Sequence, residues 1–482
     1  MNANKSAPDG WKSLSIRELV NEGSKRNPTR EDGGSFQYVD IEALDNRVQK
    51  ITAPKRINCS NAPSRARVEM KEGDVLFSLV RPYLKNVAVV PAYLDGEVAS
   101  TAFCCLRPKD WVEPRFLFYQ LIRERFINSI PTYGNSPPAA RDDEFLGLVL
   151  NVPPTRDEQK AIADTLDELL SDLDAGVAAL TRAEANLKRY RSSLLKAAME
   201  GRLTADRRAK NQSTETGEQL RERILKARRE RWEENQLASY SAQSKQPPKN
   251  WRDLYVEPEE PDIKSLPDLP KLPEGWCWTT LSQLGTVERG KSKHRPRNDP
   301  ALFGGAYPFI QTGEVRRAKI LISEYSETYS EFGLSQSRLW PVGTLCITIA
   351  ANIAETAILG FRACFPDSVV GFLPALDELP VRYIEAYIRT VRKRLEALAP
   401  ATAQKNINLD TLKGLLIPLP PLDEIDAIMD LLSSAETVID QTEEHVAKQL
   451  TRGERLRQAL LNSAVDGALV RAQVEVRLAA VA

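Results

Sequence analysis

Residues 157–203 read DEQKAIADTLDELLSDLDAGVAALTRAEANLKRYRSSLLKAAMEGRL, and residues 423–469 read DEIDAIMDLLSSAETVIDQTEEHVAKQLTRGERLRQALLNSAVDGAL. The two stretches align without a gap at a constant offset of 266 residues. Identical residues recur along the whole length, from the Asp-Glu pair that opens each stretch to the leucine that closes it. Self-similarity of this extent indicates an internal duplication, so both copies are expected to share one structure.

Apolar residues recur at three- and four-residue steps in both stretches. In the first copy they are Ile162, Leu166, Leu169, Leu173, Val177, Leu180, Leu187, Tyr190 and Leu194. This heptad spacing over several turns predicts a coiled-coil helix. A glycine follows each pattern, at Gly201 and Gly467, and glycine is a common residue at the end of a helix. A helix over 157–200 would be about 66 Å long.

Charge is distributed unevenly along each predicted helix. Residues 157–174 carry seven acids and one base, whereas 182–196 carry five bases and one acid. In the second copy, 423–444 carry eight acids and no base, and 448–457 carry four bases and one acid. Antiparallel pairing sets acid against base at both ends, and parallel pairing would set acid against acid. We therefore predict an intramolecular antiparallel coiled coil with pseudo-twofold symmetry. The alternative is that each helix packs on its own domain.

The regions upstream of the helices also correspond, less closely. Gly-Trp at 10–11 recurs at 275–276, and Gly-Asp-Val-Leu at 73–76 is matched by Gly-Thr-Leu-Cys at 343–346. Short apolar runs predict strands in both regions, and later runs predict helices, which together indicate an α/β (α+β) fold. The expected order is a globular domain over 1–150, a first repeated helix over 151–205, a charged and Pro-rich linker over 206–271, a second globular domain over 272–418, a second repeated helix over 419–471 and a tail over 472–482.

Two features of the linker bear on function. Residues 217–234 predict a short charged helix whose basic run reads either as a phosphate contact or as a solvated face. The prolines that follow, from Pro247 to Pro273, predict an extended tether.

Composition excludes several classes of protein. The 482 residues allow three to four domains, and a hydrophobic fraction of 42% is enough for their cores. Lys plus Arg and Asp plus Glu each number 66, so the chain is not uniformly basic. No stretch approaches the ~18 apolar residues of a membrane helix, and the N-terminal residues lack the layout of a signal peptide. Six Cys form no CxxC pair, and two His cannot build a multi-His site. We expect a reduced, cytoplasmic protein that does not act at a membrane.

Residues 285–292, GTVERGKS, match the phosphate-binding loop pattern literally. That loop needs a helix that starts at its lysine, and Pro296 and Pro300 forbid a long helix here. The stretch is better interpreted as a basic loop suited to a DNA backbone, with Lys291, Lys293, His294 and Arg295 as its candidate contacts. The sequence contains no Ser-His-Asp, Cys-His, zinc or paired-carboxylate pattern, so we expect the chain to be non-catalytic.

Two variable globular domains, each followed by a repeated long helix, resemble the specificity subunit of type I restriction–modification systems. The residues that carry the resemblance are Leu-Pro-Glu-Gly-Trp at 272–276, the Pro-Pro pairs with Asp-Glu at 157 and 423, the Leu-Leu to Gly helix ends at 194–201 and 460–467, Ile-Gln-Thr-Gly-Glu-Val at 310–315 and Gln-Lys-Asn-Ile at 404–407. Their order and duplication are more specific than any single motif.

The resemblance implies that each globular domain is a target-recognition domain that reads one half of a bipartite double-stranded DNA site. It implies that the helix pair fixes the half-site separation and docks two modification subunits, which methylate adenine at N6 with S-adenosylmethionine. Two restriction subunits, which are motor–nucleases, would complete the complex, with ATP and Mg on the partners and no cofactor in this chain. The rival interpretations are a coiled-coil scaffold that does not read DNA, and an ATPase or nuclease subunit, which the missing motifs disfavour.

Base readout requires Arg, Lys, Asn and Gln on loops that enter a groove. The loops after the matched strands supply the candidates Arg81, Lys85, Asn86, Gln336, Arg338 and Asn352. A second candidate loop in the second domain carries Gln404, Lys405 and Asn406. The corresponding stretch of the first domain, 132–141, departs from the Gln-x-Asn pattern, which leaves its role open. For each residue the alternative is ordinary loop solvation or turn structure.

Overall fold

The computed structural model of the protein describes residues 7–134, 137–210, 213–263, 269–350, 352–398 and 406–467. The predicted contacts Gln404 and Lys405 and the tail over 472–482 lie outside the described residues. The chain divides into two compact units. The first combines residues 1–183 with 445–482, and the second comprises residues 184–444.

The first unit is a mixed α/β structure. Its strands are β1 Lys12–Ser15, β2 Val20–Asn21, β3 Ser35–Val39, β4 Leu44–Asp45, β5 Lys50–Ile51, β6 Lys55–Asn58, β7 Ala66–Glu69, β8 Val75–Ser78, β9 Val87–Val89, β10 Val98–Ser100, β11 Phe103–Pro108 and β12 Val149–Val152. Its helices are α1 Ile16–Leu19, α2 Pro114–Leu121, α3 Glu124–Ile127, α4 Asp142–Leu146 and the first part of α5 Arg156–Met199.

The second unit is also mixed α/β. Its strands are β13 Cys277–Thr280, β14 Gly285–Arg289, β15 Phe303–Phe309, β16 Leu321–Ile322, β17 Glu327–Tyr329, β18 Leu345–Thr348, β19 Thr356–Leu359, β20 Val369–Pro374 and β21 Leu416–Leu419. Its helices are α6 Ala205–Lys210, α7 Gly217–Ala242, α8 Leu281–Leu284, α9 Thr312–Arg317, α10 Glu331–Ser335, α11 Val381–Leu398, α12 Leu409–Lys413 and the first part of α13 Leu422–Val465.

The duplication extends into the sheets. One sheet has the order β2-β11-β8-β9 in the first unit and β14-β20-β18-β19-β16 in the second. Antiparallel pairs of the first and last strands, β1 with β12 and β13 with β21, recur as well. Gly73 and Gly343, which precede β8 and β18, share a φ of 82° that only glycine adopts readily. The weak sequence correspondence upstream of the helices therefore reflects a shared strand arrangement. The first unit adds a four-stranded sheet, β6-β3-β10-β7.

The two long helices confirm the predicted repeat. Each has 44 residues, and both of their bounds differ by the offset of 266. In the first unit Arg457 pairs with Asp174, and in the second Arg191 pairs with Asp440 at 2.5 Å. Position 174 of α5 lies opposite position 457 of α13, and position 191 lies opposite position 440. The partner number falls as the α5 number rises, so the helices run antiparallel. The two ion pairs are repeat copies of each other.

Helices of the globular regions pair with the acidic first part of each long helix. In the first unit Arg115 on α2 binds Asp164 at 2.6 Å and also binds Asp167. In the second unit Arg382 on α11 binds Glu436 at 2.5 Å. The two arrangements offered by the sequence, a helix pair and a helix packed on its own domain, thus occur together.

The Pro-rich segment 247–263 has no regular structure after residue 254, as predicted for an extended chain, but its first part is anchored on α7. Trp251 is buried and stacks on Trp232 of α7, with 5.9 Å between ring centroids. The helix α7 is longer than predicted, and Leu220 and Ile224 anchor it in the core of the second unit. Its basic residues are neutralised by acids of the same unit, as in the pairs Arg221–Glu218, Arg223–Glu378 and Arg231–Asp377. The basic run is therefore engaged within the chain.

Candidate nucleic-acid interface

Four segments of the second unit meet at one end of its main sheet. Strands β14 and β18 end there and β20 begins there, because β20 runs antiparallel to both. The backbone N–H of Gly290 donates to the carbonyl of Val369 at 2.9 Å, and that of Ile349 donates to Ser368 at 3.0 Å. The N–H of Ile407 donates to Ile349 at 3.0 Å. The candidate loops after β14 and β18 and the segment at 406–407 are thereby brought together.

The loop after β14 carries the basic residues that the sequence singled out. No helix starts at Lys291, where the chain continues as a loop, which agrees with the rejection of a phosphate-binding loop. The side chains of Lys291, Lys293 and Arg295 are exposed, and the Arg295 guanidinium donates to the carbonyls of Ser292 and His294. Exposed cations on one loop suit contact with phosphate oxygens.

His294 is the least available of these four residues. Its Nε2 lies 2.8 Å from Asp299 Oδ2, and its ring packs edge-on against Phe332 at 5.1 Å. A hydrogen bond from the backbone N–H of Ala301, followed by that from His294, lowers the pKa of Asp299. The His294 side chain therefore stabilises the loop through contacts within the protein.

Gln336 and Arg338 flank the basic loop. The N–H of Lys293 donates to the carbonyl of Gln336 at 3.2 Å. The guanidinium of Arg338 pairs with Glu288 and lies 4.1 Å from the ring centroid of Trp340. The ion pair and the ring fix the direction of this guanidinium, as a side chain that reads a base edge requires.

Asn352 and Asn406 lie at the loop after β18. Asn352 Oδ1 accepts a hydrogen bond of 3.3 Å from Arg316, and Asn406 is exposed and forms a β-bridge with Ala350. The sheet end thus carries amides beside cations, the combination that reads base edges and phosphates.

The first unit repeats this arrangement at the end of β8. A β-bridge between Val80 and Ala139 occupies the place of the bridge between Ala350 and Asn406. The stretch 132–141 is therefore the structural counterpart of the second candidate loop, although it lacks the Gln-x-Asn pattern.

The predicted residues of the first unit differ in accessibility. Arg81 is exposed, and Lys85 lies 3.5 Å from Glu124. Asn86 is only 6% exposed, and its carbonyl accepts from Ser78 at 2.9 Å. Its position at the start of β9 buries it in the sheet, so as placed it does not present its amide to a DNA groove.

A family model described as the type I restriction modification DNA specificity domain matches residues 8–180 and 273–452, which together are well over half of the chain. The chain belongs to this family. DNA sequence specificity in type I restriction–modification is therefore its function, as a specificity subunit.

Relatives agree with this assignment. The type I restriction enzyme HindI specificity subunit of Haemophilus influenzae is 24% identical over 440 residues, which cover 85% of this chain and 90% of that protein. The EcoKI specificity subunit of Escherichia coli is 23% identical over 78% of this chain and 70% of that protein. These identities are low, as expected for domains that vary.

Solved structures of similar fold cover nearly the whole chain. One comes from work on complex assembly and conformational transition of the type I R-M system, with a TM-score of 0.71 and 22% identity over 96% of this chain and 99% of that chain. The HsdS subunit of Thermoanaerobacter tengcongensis has a TM-score of 0.58 and 23% identity over 97% of this chain and 99% of that chain. At these identities the likeness shows the fold of the specificity subunit.

Two features are absent from the residues that the structure describes. No group of three or more His, Cys, Asp and Glu there could hold a metal ion. No helix there is long and apolar enough to span a bilayer.

Sequence reasoning missed two exposed apolar residues of the specificity subunit. Tyr83 and Leu84 lie in the loop after β8, between the predicted contacts Arg81 and Lys85. Their exposure depends on the left-handed backbone of Arg81 and Lys85. The sequence does not reveal this conformation, because neither residue is a glycine. Tyr133, with Arg141 4.4 Å from its ring centroid, lies on the neighbouring stretch.

Proposed function

We propose that this specificity subunit reads a bipartite double-stranded DNA site, one half with each globular region. Residues 1–150 would form the first target-recognition domain and residues 272–418 the second. The observation that carries the proposal is the duplicated sheet end, with the bridge Val80–Ala139 in one unit and Ala350–Asn406 in the other. The same two loops, each with basic neighbours, occur once in each domain, as two half-sites require.

We infer that some residues at these sheet ends contact phosphates and that others contact base edges. Lys291, Lys293 and Arg81 are exposed cations and suit phosphates, which position the protein on DNA. Arg338 and Asn352 are held by neighbouring side chains and suit base edges. His294 and Asn86 act within the fold.

We further propose that α5 and α13 set the distance between the half-sites. Each helix of 44 residues is about 66 Å long. Because the helices pair antiparallel, a change in the length of one has to be matched by the same change in the other. A seven-residue insertion lengthens a helix by about 10 Å and keeps the heptad seam, which corresponds to about three base pairs.

The chemistry, in this proposal, belongs to partner subunits in the cytoplasm. Two modification subunits would methylate adenine at N6 with S-adenosylmethionine, and two restriction subunits would use ATP and Mg. The specificity subunit would be non-catalytic. The similar chain from an assembled type I R-M system supports such a complex for that protein, and the shared fold extends the expectation to this one.

The test compares methylomes of a host that carries the modification subunit with wild-type chain, without the chain, or with a lengthened variant. The variant carries one heptad inserted after Ala183 in α5 and one at the facing position, after Lys448 in α13. We expect methylated adenines in a bipartite sequence with wild-type chain, none without it, and unchanged half-sites with a spacer longer by about three base pairs in the variant. A fixed spacer with altered half-sites contradicts the spacing role, and methylation without the chain contradicts the specificity role.

A further inference from the structure

The loop after β8, residues 79–86, exposes two apolar side chains at its tip. Tyr83 is 56% exposed and Leu84 is 38% exposed. Arg81 and Lys85, on either side of them, both have a φ of 52°. Residues with a Cβ are uncommon in this left-handed region, and they persist there where neighbouring groups hold the backbone.

The tip is held from several sides. The N–H of Arg81 donates to the carbonyl of Pro138 at 2.9 Å, and Asn46 Nδ2 donates to the carbonyl of Leu84 at 3.0 Å. Ser78 Oγ donates to the carbonyl of Val80 at 3.0 Å. Pro82 is buried beneath the tip. Because the backbone is fixed before binding, little conformational entropy is lost when these side chains meet a ligand.

Among the residues of the equivalent loop that the structure describes in the second unit, none forms such an apolar tip. In the loop after β18, Ile353 and Ala354 are buried, and Asn352 occupies the outer side with Arg316. At equivalent places in their equivalent sheets, the two units therefore present different side chains, which are apolar in the first unit and polar in the second.

Cations surround the tip of the first unit. Arg81 is exposed and has no ion-pair partner among the residues that the structure describes. Across the loop, Arg141 lies over the ring of Tyr133, which is itself exposed. Aromatic rings interleaved with cations match a polyanion whose bases offer flat apolar faces, and they match an apolar protein surface poorly.

We propose that Tyr83 and Leu84 form an apolar wedge that contacts bases in the half-site read by the first domain. The wedge packs on base faces at a step that opens toward it, while Arg81 binds the adjacent phosphate. This inference rests on the proposed function and names the residues that set specificity in one of its two domains.

The test measures DNA binding by the full chain assembled with its modification subunits, by fluorescence anisotropy. The probes are a duplex with the bipartite sequence found in the methylome and a duplex with its first half-site scrambled. The variants are Tyr83→Ala with Leu84→Ala, the conservative Tyr83→Phe, and Arg81→Ala. Tyr93→Ala is the matched control, because Tyr93 is 64% exposed in the same domain but follows the far end of β9.

We expect the double variant to bind the specific duplex about five-fold to a hundred-fold more weakly, with an unchanged salt dependence and unchanged binding to the scrambled duplex. Tyr83→Phe and Tyr93→Ala should bind as wild type does. Arg81→Ala should instead lower the slope of log K against log salt by about one. A 2-aminopurine placed in the first half-site should brighten on binding of wild type and not of the double variant.

Three results would overturn the wedge. They are unchanged affinity of a folded double variant for the specific duplex, an equal loss on both duplexes, and a loss of subunit assembly with normal DNA binding. The last would identify a protein contact. A wild-type complex that does not distinguish the two duplexes would instead refute the proposed function, so the two failures are distinct.

Discussion

Replacing Glu424 by alanine should destabilise the second unit far more than the same change at its repeat copy, Glu158. The Glu424 side chain is buried and accepts hydrogen bonds from Thr204 Oγ1 at 2.6 Å and Trp276 Nε1 at 3.0 Å. Arg208 also pairs with it. Glu158 is exposed, and its carboxylate accepts hydrogen bonds from the backbone N–H and the Oγ1 of Thr155, at 3.3 Å and 2.9 Å.

The expected loss follows from the donors that remain. Without the carboxylate, the Thr204 hydroxyl and the Trp276 indole N–H lose their acceptor, and Arg208, which still donates to the Gly201 carbonyl at 2.8 Å, loses its counter-charge. Each loss costs about 1 kcal/mol or more. We expect Glu424→Ala to lose about 3 kcal/mol of unfolding free energy, a fall of roughly 6 °C in the transition of a unit of this size. Glu158→Ala removes part of a helix cap and should lose less than about 1 kcal/mol.

Differential scanning calorimetry of the full chain measures both variants, with Glu424→Gln as a third that keeps the shape. The glutamine should fall between wild type and alanine, because it still accepts one hydrogen bond but no longer neutralises Arg208. Equal shifts for Glu424→Ala and Glu158→Ala would refute the reasoning. So would a shift below about 2 °C for Glu424→Ala, since the buried donors would then have found water or other acceptors.

Burial opposes ionisation of Asp440, but Arg191 and Lys319 together outweigh it and lower the pKa of this carboxyl. The stability that Asp440 contributes is therefore fully present at neutral pH and is lost as the pH falls through the lowered pKa, so in urea unfolding the advantage of wild type over Asp440→Asn at pH 7 should shrink steadily on acidification. Arg338→Ala should weaken binding to the specific duplex and relax the base preference with little change in salt dependence, whereas Glu288→Ala, which removes the acid paired with Arg338, should strengthen non-specific binding in the same anisotropy titration. Trp251→Ala should release the Pro-rich segment, so that limited proteolysis cuts within 247–263 sooner while DNA affinity stays constant.

The first long helix, predicted over 157–200 within the region 151–205, begins and ends one residue earlier, and the second lies within the predicted region 419–471. The periodic apolar pattern and the glycines at 201 and 467 are local signals, and local signals suffice for a helix of this length. The weaker correspondence of residues 73–76 with residues 343–346 also predicted that β8 and β18 would match. The fold class and the order of elements could therefore be obtained without coordinates.

The Pro-rich segment could not be placed in this way. Its position depends on the stacking of Trp251 on Trp232, 19 residues away in sequence, and on α7, whose Leu220 and Ile224 lie in the core of the second unit. Composition alone described the prolines as an extended chain. The same limitation hid the neutralisation of the basic run, whose partners Asp377 and Glu378 lie far along the chain.

Residue type and loop position predicted part of the candidate interface. They found the exposed Lys291 and Arg81. They also selected Asn86, which directly precedes β9 and is buried there. They passed over Tyr83, because the criterion for base readout was a polar Arg, Lys, Asn or Gln side chain. Which side a loop residue faces depends on backbone angles such as the φ of 52° at Arg81, which its sequence does not signal.

The first unit is discontinuous in sequence, and this has a consequence for synthesis. Its core needs Leu461 and Ala464 beside Ile162 and Leu166, so it cannot be completed until about 300 further residues have left the ribosome. The second unit, which is continuous from residue 184 to 444, is complete by then. A product truncated before residue 445 would contain all residues of the second unit, but the first unit would lack the part of α13 that completes its core. In such a product Ile162 and Leu166 of α5 would lack the covering side chains of Leu461 and Ala464, so an apolar part of α5 would stay exposed to water.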